Sequence, residues 1–235
     1  MKTKIAVFST NDVFITIPLL KKISLDSRID LKKVFFFKEK NSFIKKIKIL
    51  ILLSFKDFIN LTLLFLNSIL QKKTIFKSRL VKNINSQDLI NLVNQLNVDI
   101  IICINCPQII SDNTIKEIKV PIFNFHPGDL PSFRGVLIPF FLMKNKIREA
   151  CLTFHKIDKF IDKGQLINKK YISLSDKETL LSIYKKIFLS KKSYNFIINS
   201  IIDHSEVNIK FKKNLNKYYN YPSIIEILKF RVGIK

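Results

Sequence analysis

Short apolar runs separated by helical patterns dominate the first 125 or so residues, and that alternation leaves few folds open. Ile5 to Phe8 suits one short buried strand. Ser9-Thr10-Asn11-Asp12 then supplies turn and N-cap chemistry ahead of the apolar-periodic Val13 to Ile23. Leu31 to Phe37 reads as a second strand. Val98 to Ile104 is a third, after a helix capped by Ser86, and Pro121 to Phe125 a fourth, after a short helix from Ser111 to Ile118. This order predicts an α/β fold, a Rossmann-like and mainly parallel sheet with helices on both faces. Ligands of such sheets sit off the carboxyl ends of the strands, so the residues after Phe8, Ile104 and Phe123 invite scrutiny. Downstream, Ala150 to Ile157 and Gln165 to Ile172 read as two more strands. Ser175-Asp-Lys-Glu178 is a capping-box pattern before one long helix, Thr179 to Ile201. The tail holds a strand-like Val207 to Phe211 and an aromatic cluster, Tyr218, Tyr219 and Tyr221. A main domain over residues 1–205 and a short β/helical extension over 206–235, for substrate or dimer contacts, follow from this reading.

Composition narrows the functional classes. Hydrophobic residues make up 47% and charged residues 25% of the chain, the balance of a protein that packs a core, which excludes a disordered chain. The formal charge of +23 attracts polyanions. The lysines are spread over the whole chain, however, arginines number only five, and no nucleic-acid-binding motif appears, so a solvated lysine surface is expected rather than a nucleic-acid partner. Three cysteines do not make a disulfide framework. Cys103 and Cys106 form a C-x-x-C with no second pair at zinc spacing, and both read as ordinary strand-end residues with no metal. A reducing, cytoplasmic compartment is expected. Lys2-Thr3-Lys4 leads straight into the first strand, leaving no visible signal peptide. The apolar segment Ile49 to Leu70 is broken by Lys56-Asp57, Asn60 and Asn67, short of the roughly 20 apolar residues a membrane span needs. Its Leu61, Leu64, Phe65 and Ile69 recur at helical spacing, as in core-facing or subunit-facing helices.

Turn-forming residues are scarce in this chain, so their clustering is informative. Five of the seven prolines lie between Pro107 and Pro139, and three of the four glycines between Gly128 and Gly164. Two of the three histidines, His126 and His155, share the stretch. Strand alternation puts Asn124 and His126 on one face at a carboxyl end. An amide can steady a developing oxyanion and an imidazole can move a proton near neutral pH, a pairing suited to acyl chemistry. A carboxylate in the Asp162-Lys-Gly164 turn could raise the imidazole's basicity or relay the proton. The same residues could also serve only the backbone groups of a turn, and His155 alone reads as a satisfied, half-buried histidine.

Asn124-Phe-His126-Pro-Gly-Asp-Leu-Pro-Ser-Phe-Arg-Gly135 resembles the N-x-H-P-x-x-L-P-x-[YF]-x-G signature of folate-dependent formyltransferases. Thr153-Phe-His155 through Asp162-Lys-Gly164-Gln-Leu-Ile is similar to their second signature, T-x-H-x-x-x-x-x-x-D-x-G-x-x-I, and Val98 to Ser111 to their strand and pterin-binding loop. The resemblance covers about Lys4 to Ile202 and is weakest between Phe43 and Val81. It implies a Rossmann-like catalytic domain, 10-formyltetrahydrofolate as donor, and a catalytic set of Asn124, His126 and Asp162 with His155 behind it. Folate would lie against Cys106, Pro107, Gln108, Ile109 and Ile110 and the loop from Asp158 to Asp162.

Three acceptors are known for such domains: glycinamide ribonucleotide, methionyl-tRNA and amino sugars on nucleoside diphosphates. Ser9-Thr10-Asn11-Asp12 lacks the glycines of the purine enzyme's phosphate loop. Only 30 residues follow Ser205, too few for the β-barrel of the tRNA enzymes. The resemblance is greatest to sugar-nucleotide N-formyltransferases of bacterial O-antigen synthesis. The best reading is formylation of dTDP-4-amino-4,6-dideoxyglucose, with a 3-amino isomer next; the alternatives are a methionyl-tRNA or glycinamide ribonucleotide formyltransferase-like enzyme, or a non-enzymatic anion- or RNA-binding relative. Expected contacts to the nucleotide are Asn11 at a helix N-terminus, Lys77, Arg79 and Arg134 for the diphosphate, and Tyr219 and Tyr221 for the base. A homodimer is expected, built on Val207 to Phe211 or on Ile49 to Leu70.

Overall fold

The computed structural model describes residues 1–38, 42–70, 76–204 and 218–233. Strand β1 (Thr3–Ser9) leads into α1 (Thr16–Leu25), and β2 (Ile29–Phe37) into two inserted helices, α2 (Ser42–Leu52) and α3 (Phe55–Leu70). Next come β3 (Ser78–Val81), α4 (Gln87–Gln95), β4 (Ile100–Ile104), α5 (Asp112–Glu117) and β5 (Ile122–His126). The second half contains β6 (Arg134–Gly135), α6 (Ile138–Lys144), β7 (Glu149–Lys156), β8 (Leu166–Ser173), α7 (Leu180–Leu189), α8 (Lys191–Ile202), β9 (Tyr218–Tyr219) and α9 (Ile224–Arg231).

The expected α/β fold is present. Seven strands form one sheet in the order β3-β2-β1-β4-β5-β7-β8, parallel from β3 to β5 and antiparallel at β5/β7 and β7/β8. The central parallel strands β1 and β4 are mostly apolar because helices cover both of their faces. On one face β1, β4 and β5 meet α1, α6, α7 and α8; on the other they meet α4 and α5. β6 and β9 make a separate two-stranded parallel sheet that ties the tail to the residues after β5.

Three local expectations need correction. Asp12, not Asn11, holds the turn that enters α1. Its carboxylate accepts from the backbone N–H groups of Phe14, Ile15 and Thr16 at 2.9, 3.0 and 3.1 Å, so the N-terminus expected to attract an anion already holds one. Ser175 and Glu178 close a turn on themselves, while Thr179 caps α7 in a reciprocal box with Ser182. The long helix is two helices, because Ser190 is extended (φ −62°, ψ 150°) and caps α8 through Ser193 N. Val207 to Phe211, one proposed dimer surface, lies outside the described residues.

Removing three charge-assisted hydrogen bonds should be costly. Asp12→Ala is expected to lower stability by about 1–2 kcal/mol, read as a shift of the urea midpoint at unchanged slope.

Candidate active site

Alternation along β5 sends Phe123 and Phe125 to one face, where both stack on Phe154 of β7 at 5.0 and 4.6 Å. It sends Asn124 and His126 to the other. The antiparallel pairing then sets the second motif opposite the first. Asn124 faces His155 across the ladder, and His126 faces Thr153. On the other flank Cys103 of β4 is in register with Asn124.

Side-chain chemistry follows from that register. Asn124 Nδ2 lies 3.1 Å from His155 Nε2, and His155 Nδ1 lies 3.2 Å from the carbonyl of Lys156. A carbonyl only accepts, so Nδ1 carries the proton and Nε2 accepts from the Asn124 amide. One Asn124 N–H is thereby taken and the amide's orientation fixed, with the second N–H left to donate. Burial and the adjacent His126 push the His155 imidazole down to about 4, so it is neutral at physiological pH.

His126 is 3% exposed. Its Nε2 donates to the carbonyl of Phe133 at 2.6 Å, which leaves Nδ1 facing Asp162 Oδ1 at 3.7 Å. Asp162 Oδ1 is also 4.0 Å from His155 Nε2, and its other oxygen accepts from Gly135 N at 3.0 Å. Asp162 has φ +52°, a left-handed conformation that Asp tolerates better than most side chains. The return of this loop depends on Gly164, where a Cβ would fall 1.8 Å from the carbonyl of Lys156. Thr153 Oγ1 donates to Gly128 O at 2.6 Å, and Lys169 Nζ reaches Asp129 Oδ1 and Leu130 O at 2.5 Å each. The turn after His126 is pinned from two strands.

Of the residues expected from sequence, Asn124, His126, Asp162 and His155 come together. The others divide. Gln108 spends its whole amide on the backbone: Oε1 accepts from Ile84 N at 2.9 Å, and Nε2 donates to Lys38 O and Lys82 O at 3.0 and 2.9 Å. It joins the ends of β2 and β3 rather than presenting itself to a ligand. Ile110 is a core residue, whereas Ile109 beside it is 65% exposed. Cys106 and Pro107 line the same loop half-buried, and Asp158 turns the other loop by accepting from Phe160 N at 2.8 Å.

The nucleotide contacts fare worse. Arg134 is buried in β6 instead of standing at a mouth. Lys77 and Arg79 sit at the β3 edge, four strand spacings or about 19 Å from β5. Tyr219 stacks on Phe133 (5.3 Å, 7°) and packs on Phe141, so its ring faces are used internally. Tyr221 is half-buried beneath Lys45 Nζ, 4.8 Å from its ring. Tyr218, left out of the expected site, is the tail ring beside Asp162 and Arg134; burial and the Asp162 charge push its hydroxyl up. The carbonyl of Phe133 was illegible as a partner, its only trace being Gly128, where a Cβ would meet that oxygen at 2.4 Å. Among the described residues no group of three or more His, Cys, Asp or Glu could hold a metal ion, and no helix is long and apolar enough to cross a membrane.

Residues 38–199 match the formyl transferase family. In sequence the chain is 27% identical over 150 residues to the bifunctional polymyxin resistance protein ArnA of Wigglesworthia glossinidia brevipalpis, covering 62% of this chain and 23% of ArnA. It is 25% identical over 144 residues to the methionyl-tRNA formyltransferase of Finegoldia magna, covering 61% of this chain and 45% of that enzyme. The chain thus spans less than half the length of these curated relatives. In structure it is similar to a phosphoribosylglycinamide formyltransferase from Anaplasma phagocytophilum (TM-score 0.61, 16% identity, 94% of this chain and 99% of that one). It is also similar to WlaRD, a sugar 3N-formyl transferase solved in the presence of dTDP and 5-N-formyl-THF (TM-score 0.59, 19% identity, 94% and 70%).

A buried, neutral His155 has a consequence for stability. Its folded-state pKa lies below the unfolded value near 6.5, so its contribution is complete above that pH and is lost as pH falls toward 4. Denaturant melts should therefore weaken between pH 6.5 and 4, and His155→Gln should flatten that part of the profile. An unchanged slope would mean that another group carries it.

Proposed function

Because the chain belongs to the formyl transferase family, we propose that it transfers a formyl group from 10-formyltetrahydrofolate to the amine of a nucleotide-linked amino-dideoxy sugar. The observation that carries this reading is the arrangement of Asn124, His126 and Asp162 on one face of β5 and its covering loop, with His155 fixing the Asn124 amide.

The amine attacks the formyl carbon, and the carbonyl oxygen takes up negative charge. The free N–H of Asn124 donates to that oxygen. As the new C–N bond forms, the amine must lose a proton. His126 accepts it on Nδ1, the nitrogen not engaged by Phe133, and the resulting imidazolium is stabilised by Asp162. Cleavage of the bond between the formyl carbon and N10 returns a proton to N10, so the reaction is neutral overall. The folate ring fits between the loop of Cys106, Pro107 and the exposed Ile109 and the loop from Asp158 to Asp162, which offers the exposed Phe160 and Ile161 as apolar cover. Gln108 supports the first loop from behind.

The sugar acceptor rests on the H-P-G after Asn124, the T-x-H before Asp162, and the fold shared with WlaRD. A dTDP-linked 4-amino-4,6-dideoxyglucose for a surface polysaccharide is the first candidate and its 3-amino isomer the second. Tyr218, beside Asp162 and Arg134, is the tail ring assigned to the nucleotide in this reading.

Three measurements test this. His126→Ala is expected to lower turnover ~100-fold or more at saturating substrates, and near-wild-type turnover would refute its role. Ile109→Asp should raise the folate KM well above any change in the sugar KM, whereas Ile110→Asp should destabilise the fold. A panel of dTDP-amino sugars, glycinamide ribonucleotide and methionyl-tRNA, read by product mass, should show formyl gain on a sugar alone; methionyl-tRNA or the ribonucleotide as sole acceptor would sink the assignment.

A further inference from the structure

The helices inserted between β2 and β3 turn apolar side chains outward. On α3, Phe55, Phe58, Ile59 and Leu63 follow one another at i, i+3, i+4 and i+8, one helical stripe, with exposures from 45% to 79%. The inward side carries Asp57, 1% exposed and accepting from Thr179 Oγ1 at 2.5 Å. Leu61 of the same helix packs on the main core, so the outer stripe is apolar surface additional to the one that holds the helix in place. α2 adds exposed Phe43 and Leu50, and α9, which packs on α2, adds exposed Ile225 and Leu228. So much exposed apolar surface marks a binding face.

Charge identifies the partner. Between Ser42 and Leu70 there are four lysines, at 45, 46, 48 and 56, and one carboxylate, the buried Asp57. α9 ends in Lys229 and Arg231, and its Glu226 is paired with Lys144. A second copy laid on this face would set cations against cations between molecules that each carry +23. An anionic lipid surface supplies both an apolar medium and the counter-charge. We propose that the face formed by α2, α3 and α9 docks in the plane of an anionic phospholipid bilayer. The phenylalanines reach the acyl boundary, and the stems of Lys46, Lys48 and Lys56 lie along it with their ammonium groups at the phosphates. This is surface binding without a span, and it does not depend on which acceptor the enzyme uses.

The test is flotation at about physiological salt with phosphatidylcholine vesicles, with or without roughly one-third phosphatidylglycerol. The full chain should float with the anionic vesicles and far less with the neutral ones. Phe55→Ser/Phe58→Ser keeps the net charge and should lower the partition coefficient ~10-fold or more. Lys46→Glu/Lys56→Glu should weaken binding to anionic vesicles only. Cooperative thermal unfolding of each variant checks its fold. No association of the wild type would overturn the proposal, as would binding indifferent to the phenylalanine pair, which is bare charge attraction. A concentration-dependent dimer abolished by Phe55→Ser/Phe58→Ser, without vesicle binding, would overturn it in favour of a second copy.

Discussion

The antiparallel register between β5 and β7 is the constraint on which the site depends. It places Thr153 across from His126 and His155 across from Asn124, and a slip of β7 by one residue would turn Thr153 and His155 away from the site. The stacked Phe123, Phe125 and Phe154 on the opposite face hold that register, because the same slip would eject Phe154 from the core. Hydrophobic burial on one side of the ladder thus enforces polar geometry on the other.

From this pairing the site is assembled with few free parameters. Asn124 is oriented by a histidine that remains neutral because it is buried, so the amide does not reorient when pH changes near neutrality. His126 is oriented by the carbonyl of Phe133, a group that cannot change its protonation state. The second ring nitrogen, Nδ1, is left toward Asp162, which is itself held by Gly135 N. In the proposed reaction, each reacting side chain is positioned by a neighbour that does not take part in proton transfer.

Much of this was legible in the sequence. Short runs of Ile, Val and Phe marked β1, β2, β4 and β5 because the parts of a strand covered on both faces are mostly apolar. The clustering of proline and glycine marked the turns around the site. What could not be read was the competition for hydrogen bonds. Gln108 has the chemistry to touch a ligand, but three backbone groups claim its amide. Asn11 and Asp12 are both good caps, and only the chain's path into α1 selects Asp12. Tyr219 and Tyr218 are neighbours of equal chemistry, separated by which one β9 turns toward Phe133 and Phe141. The single long helix failed at Ser190, where a side-chain cap outcompeted helical continuation.

An outer strand of the large sheet puts part of the surplus positive charge in another light. Among the described residues β3 and β8 are the outermost strands, and the backbone groups of such an edge could recruit a further strand from another molecule. β3 carries Arg79 and is preceded by Lys77, both exposed. Cations at that edge make lateral growth of the sheet from β3 electrostatically unfavourable. In a chain so rich in isoleucine and phenylalanine, they act against fibre-like stacking.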